Sequence, residues 1–335
     1  MVKIRAGITA GDINGIGIEL ILKTFNDQDN LDRCTPIVYA DIDVMQYHMH
    51  ALALHGVSLN VIDVEEDAKE GVINVFSSWG EPVNFDLGKS SPAGGKYALE
   101  SLERACGAIE KRLIDIMVTA PLNKNNIEHR GFTGHTGFLA DKFGSGALMI
   151  MVSESIKVAL ATGHIPVAEV ARELTENLVF EKIIALHKSL IEDFGIAEPA
   201  IAVLGLNPHA GDGGLIGREE IELIAPAIAR AKELGIDTKG PISADGFFGA
   251  RSYKQYDGVL AMYHDQGLIP FKAISFDSGV NFTAGLSIVR TSPGHGVAYD
   301  LTGQGSASAN SLTASLHLAC DTFQRRCKRE DLPLS

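Results

Sequence analysis

Residues 200–209 read AIAVLGLNPH, an apolar run of strand length that breaks at Gly, Asn and Pro and ends in a histidine. The same arrangement recurs at KVALATGH (157–164) and GVLAMYH (258–264). An apolar run without alternation marks a strand covered on both faces, the condition of a parallel sheet flanked by helices. Further runs of this kind are KIRAGIT, PIVYA, INVF, IDIMVTA, ALMIMVS and LSIVRT. Between the runs, GGKYALESLERACGAIEKR and REEIELIAPAIARAKELG space apolar residues three and four apart, as amphipathic helices do. The alternation predicts an α/β fold of α/β/α layers with mostly parallel sheets. The strand count is high for one open sheet and favours two α/β lobes. We expect residues 1–125 plus 290–335 in the first and 126–289, with the three histidines, in the second.

At 335 residues and 45% hydrophobic composition the chain can bury roughly three quarters of its unfolded surface, so the core needs no covalent staple. A net charge of −13 argues against a nucleic-acid surface, because that affinity comes from many Lys and Arg neutralising phosphates. Cys34, Cys106, Cys320 and Cys327 are scattered without a CxxC pair, the usage of buried thiols in a reducing compartment. No apolar run approaches the about eighteen residues of a membrane helix. These features place the chain in the cytoplasm, away from membranes.

Each of His164, His209 and His264 directly follows an apolar run. In a parallel sheet the carboxyl ends of the strands share one edge, where open α/β folds place their ligands. Three imidazoles there suit a divalent metal with positions left open for substrate, and they accept zinc, cobalt, nickel, manganese or, less readily, magnesium. One such histidine alone is more often a hydrogen-bonded strand end; three in one context favour the joint reading. His48, His50 and His55 fall on what reads as an exposed helix, and His187 lies mid-helix, so all four are expected to be structural.

A second group offers positive charge and polar donors: Lys124, His135 and Thr136 in FTGHTGF, Lys272, Asn281 and Arg290. FTGHTGF precedes a predicted helix whose first amides favour an anion. Asp245 and Asp265 stand close in sequence to the proposed metal edge, as a general base, as second-layer partners of an imidazole, or as helix caps. No GxGxxG lies between strand and helix, so nothing in the spacing identifies a dinucleotide.

GLNPHAGDGG, AMYHDQGLIPFK, FTGHTGF and the segment from Asn281 to Arg290 together resemble the 4-hydroxythreonine-4-phosphate dehydrogenase family, over nearly the whole chain. The resemblance implies a two-lobed fold like isocitrate and isopropylmalate dehydrogenases, which bind NAD through loops between lobes without the Rossmann fingerprint. It implies a divalent metal on His164, His209 and His264 with ligands shared across a homodimer interface, and substrate on His135, Thr136, Lys272, Asn281 and Arg290. It further implies NAD or NADP as oxidant, and a small phosphorylated hydroxy acid that is oxidised to a β-keto acid and then decarboxylated, with Lys272, Asp245 or Asp265 moving protons. In the opening turn GDINGIGIE, Asn14 and Ile18 stand where the family commonly has Ala and Pro. Threonate or erythronate 4-phosphate dehydrogenases share these motifs. A zinc aldolase or hydrolase without nicotinamide, and a metabolite-binding protein without catalysis, are the readings from other classes.

Overall fold

The apolar runs become strands. The computed structural model describes residues 3–54, 56–80, 83–129, 132, 134–144 and 146–329. Its strands are β1 (Ile4–Thr9), β2 (Cys34–Ala40), β3 (Leu59–Ile62), β4 (Ile73–Ser77), β5 (Ile116–Thr119), β6 (Leu148–Val152), β7 (Lys157–Leu160), β8 (Ile201–Leu204), β9 (Thr238–Ile242), β10 (Gly258–Ala261), β11 (Val280–Ala284) and β12 (Val289–Pro293). The helices are α1 (Gly17–Phe25), α2 (Gln28–Arg33), α3 (Ile42–Ala51), α4 (Pro92–Glu110), α5 (His135–Phe143), α6 (Val167–Glu173), α7 (Glu176–Glu192), α8 (Ala225–Glu233), α9 (Ala244–Gly249), α10 (His264–Ser275) and α11 (Asn310–Arg329). Among the described residues no helix is long and apolar enough to cross a membrane, and all four cysteines are buried thiols.

The chain forms two units, Met1–Gly144 with Leu286–Ser335, and Ser145–Gly285. In the first, the strands run in the order β3-β4-β2-β1-β5-β12 and every adjacent pair is parallel. In the second, the order is β11-β6-β7-β10-β8-β9; β7, β10, β8 and β9 are parallel, while β6 runs antiparallel to both β7 and β11. This is the predicted α/β class. All nine strands read from the sequence are present, whereas β3, β9 and β11 escaped notice. β3 and β9 lie at outer edges of their sheets, where burial is one-sided and Pro241 is tolerated, so neither carries an unbroken apolar run.

The division falls later in the sequence than expected at the first boundary. Residues 126–144 belong to the first unit rather than to the second: Leu139 and Phe143 of α5 are buried, and the carbonyl of Phe143 accepts the Ser287 amide at 2.9 Å. His135 and Thr136 therefore sit in a different unit from the three edge histidines.

The opening turn is tied down by the residue that departs from the family pattern. Asn14 is buried; its Nδ2 donates to Ser91 Oγ at 2.8 Å, its Oδ1 accepts the Asp86 amide at 2.7 Å, and its carbonyl accepts the Gly88 amide at 2.8 Å. An alanine here supplies none of the side-chain bonds, so the 86–91 segment has its own anchor in this chain. Ile18 enters α1 fully buried.

His48 corrects an expectation, since α3 does not expose it: it is fully buried, and neither ring nitrogen has a partner. His50 on the same helix is exposed, His187 is half-buried, and His55 lies outside the described residues. Burial pushes the His48 imidazole down to about 4, against the opposing pull of the buried Glu19 carboxylate, which Lys23 pairs at 2.7 Å. The unfolded chain takes up this proton near pH 6.5 and the folded one only near 4, so stability falls as pH drops through that window. The loss amounts to about 3 kcal/mol. His48→Leu, which leaves no polar atom unsatisfied, should flatten the stability profile between pH 6.5 and 4 by up to that amount, as read by urea unfolding across the range.

Candidate active site

β7, β10 and β8 are adjacent and parallel, so the segments after them leave from one edge. The backbone stays paired beyond the strands: the Ala161 amide donates to Ala261 O at 2.8 Å, and Thr162 donates to Met262 O through its amide at 3.2 Å and its hydroxyl at 2.7 Å. This carries His164 to His264, with ring centroids 5.0 Å apart. Gly163, His164, Ile165, Val167, Val170, Tyr263, His264 and Asp265 line a small cleft.

His264 is the first residue of α10, and its Nδ1 lies 2.6 Å from Asp265 Oδ1. Against a carboxylate, Nδ1 must carry the proton, which leaves Nε2 with its lone pair. That is the arrangement in which a carboxylate orients a metal-binding imidazole. The ring spacing also fits: two imidazoles on one tetrahedral ion, with bonds of about 2 Å, put their centroids about 5 Å apart. His209 is exposed and lies beside Asp245 instead. Among the described residues no three His, Cys, Asp or Glu side chains gather closely enough to hold an ion. Within one chain, then, the structure brings together His164 and His264 without His209.

His209 follows β8 in a backbone of positive φ, with His209, Ala210 and Asp212 at 54°, 52° and 45°. Each such non-glycine residue costs roughly 1–2 kcal/mol. Asp245 opens α9; its carboxylate is held below the usual range by the Ser243 hydroxyl, 2.5 Å away, then by the Gly246 amide and more weakly by His209. Both aspartates have hydrogen-bond partners, and the downward shift at Asp245 runs opposite to the raised pKa a carboxylate general base uses at neutral pH.

Arg290 is almost fully buried on β12, and its Nε and Nη2 donate to Thr119 Oγ1 at 3.1 and 2.6 Å. Burial pulls its guanidinium down to about 9, still charged at neutral pH. His135 begins α5 in the same unit; burial, and then the Arg290 charge, hold it well below its ordinary value. Its Nε2 is buried and unpartnered. A neutral imidazole with an open nitrogen, beside a buried cation and at the first amides of a nine-residue helix, suits an oxyanion. Thr136 is the second residue of that helix. In the other unit Lys272 is exposed in the last turn of α10, and Asn281 on β11 has a buried, unpartnered Oδ1. Lys124 is exposed in a short 3-10 turn.

The matching family model is the pyridoxal phosphate biosynthetic protein PdxA, over residues 32–319. The chain belongs to the PdxA family. A 4-hydroxythreonine-4-phosphate dehydrogenase of Bacteroides thetaiotaomicron is 48% identical over 328 residues, 97% of this chain and 90% of that one. Its counterpart in Prosthecochloris aestuarii is 42% identical, covering 93% and 95%. A solved 4-hydroxythreonine-4-phosphate dehydrogenase of Klebsiella pneumoniae superposes with a TM-score of 0.82 at 33% identity, over 97% of this chain and 99% of that one. Membership makes the chain a dehydrogenase.

Sequence reasoning passed over Thr119, which holds the Arg290 guanidinium, and Gln266, which joins two strand ends. Gln266 Oε1 accepts the Met262 amide at 2.7 Å after β10, and its Nε2 donates to Gly205 O at 2.7 Å after β8. Its signal was present: a glutamine at the third position of a helix entered straight from a strand can reach back to the preceding backbone. Gln266→Ala leaves a buried-edge donor and acceptor open and should cost about 1–3 kcal/mol. Urea unfolding should show that loss, with amide exchange rising at Met262; wild-type exchange there rules out the brace.

Proposed function

We propose that this chain catalyses the NAD-dependent oxidation of 4-phosphooxy-L-threonine (4-hydroxythreonine 4-phosphate), in the formation of pyridoxal phosphate. The product is a β-keto acid, which loses carbon dioxide to give 3-amino-2-oxopropyl phosphate. The observation that carries this reading is the His164–His264 pair with Asp265 behind it, in a chain whose curated relatives bear the name of that dehydrogenase.

A divalent ion on His164 and His264, with His209 delivered by a second copy of the chain, supplies Lewis acidity at the substrate hydroxyl when bound. NAD, or NADP, is the hydride acceptor. Asp265 keeps the proton on His264 Nδ1 and so keeps Nε2 a donor atom. His135, Thr136, Lys272, Asn281 and Arg290 are assigned to substrate binding, with the phosphate and carboxylate as the groups held. With both aspartates engaged in hydrogen bonds, Lys272 is assigned the proton transfers. A homodimer is favoured by exposed apolar side chains close in sequence to the histidines: Val167, Leu215 and Ile269 are 76%, 81% and 65% exposed. Reduced, buried thiols suit a cytoplasmic enzyme.

The deciding measurement is NADH formation with 4-hydroxythreonine 4-phosphate against threonate and erythronate 4-phosphates, with and without added divalent ion. The first substrate should be preferred, and chelation should lower turnover by about two orders of magnitude or more. Undiminished activity in a chelated sample defeats the metal assignment, and preference for a sugar-acid phosphate moves the enzyme to that branch. Arg290→Met, close in volume, should raise KM about 10- to 100-fold with a smaller change in kcat. An unchanged KM removes Arg290 from the anion site.

A further inference from the structure

From His209 to Gly213 five successive residues have positive φ, and their ψ values lie between −2° and 54°. Left-handed backbone is routine for single residues, chiefly glycine, because a Cβ crowds the next carbonyl. Three of these five carry a Cβ, and Ala210 lacks even the polar side chain that eases the conformation in His or Asp. Such a segment persists only where its surroundings over-determine it.

What surrounds it is one buried carboxylate. Glu220, 3% exposed, opens a π-helical turn, Glu220–Ile224, that leads into α8. π turns insert an extra residue into a helix and concentrate at functional sites. Glu220 Oε1 accepts the backbone amide of Asn207 at 2.7 Å, and Oε2 accepts Asn207 Nδ2 at 3.0 Å. Glu219 Oε2 accepts from the same Nδ2 at 2.7 Å. Asn207 in turn gives its carbonyl to the Ala210 amide at 3.1 Å, which starts the left-handed turn. The backbone closes around the carboxylate from both sides. A Cβ on Gly211 would lie 2.6 Å from Glu220 Oε2, and one on Gly205 3.0 Å from Oε1.

We propose that Glu220 is a positioning residue for His209: through Asn207 its carboxylate holds the left-handed turn, so that His209 is presented before any metal arrives. This rests on His209 being a metal ligand. Without the carboxylate the turn relaxes toward ordinary backbone, and the Cα–Cβ bond of His209 swings to a new direction.

The test uses the full chain, metal-free and with Co2+ alone. In Glu220→Gln an amide group replaces an oxygen that accepts from Asn207. Amides of residues 205–217 should then exchange with solvent at least about tenfold faster in the metal-free protein, while β1 and β2 keep wild-type rates. Co2+, followed by visible absorption or calorimetry, should bind about 10- to 100-fold more weakly. Glu220→Asp, which keeps the charge at shorter reach, should recover part of both. Unchanged exchange in Glu220→Gln overturns the proposal, and so does faster exchange with unchanged Co2+ affinity. His209→Ala tests the underlying reading separately: normal Co2+ binding there removes His209 as a ligand, whatever Glu220→Gln does to the turn. Should Glu220→Gln fail to fold, Asn207→Ala, which deletes only the amide side chain, carries the same two expectations.

Discussion

Parallel pairing of β10 with β7 on one side and β8 on the other is the constraint on which the second unit's chemistry depends. Parallel strands must finish on the same edge, and each strand here is buried along its length apart from Lys157 at the start of β7, so packing fixes where the edge lies. The three histidines need no long-range design of their own; they lie a few residues beyond the ends of a rigid ladder. What the ladder does not fix is the conformation of those residues. That falls to local devices: Thr162 on the Met262 carbonyl, Gln266 between two strand ends, Asp265 on His264, and Glu220 on Asn207.

Under the proposed function the first unit has a different problem, attracting an anion to a chain of net charge −13. A surface lysine would be screened and surrounded by like-charged competitors for its attention. A guanidinium at 1% exposure acts instead through a medium of low polarity, where its field is little screened. Burial, and then the same field, keep His135 neutral, so its ring can present one N–H donor and one acceptor rather than adding a second buried cation. Cation and neutral donor together give charge and direction, the two things needed to select a group such as phosphate or carboxylate.

Much of this was legible in the sequence, for a reason that also marks where legibility ends. Strands buried on both faces must be continuously apolar, so KVAL, IAVL and GVLA announced themselves and carried their histidines with them. Edge strands such as β9 are covered on one side and read like loops. The unit boundary was missed because α5 packs back through Leu139 and Phe143, a contact with no periodic trace in the residues before it. A histidine on a short helix gives no sign of which face it occupies, and only packing shows that His48 turns inward. Thr119 and Glu220 were invisible in a different way. A threonine in a strand and a glutamate in a helix are ordinary residues, and only their burial against Arg290 and Asn207 makes them specific.

The pairing of two imidazoles within one chain, with a third held apart on its own turn, has a thermodynamic consequence under the proposed homodimer. Two neutral nitrogens bind a divalent ion far less tightly than three do, so a lone chain would hold metal weakly. If the third nitrogen comes from a second copy, metal binding and association become linked, each strengthening the other by the same factor. A turn already locked in the metal-free chain then matters more, because association would otherwise have to order the segment around His209 as well as bury apolar surface. On this view the energetic cost of left-handed backbone is met when the chain folds, through a carboxylate that never touches the ion, and not when the two copies meet.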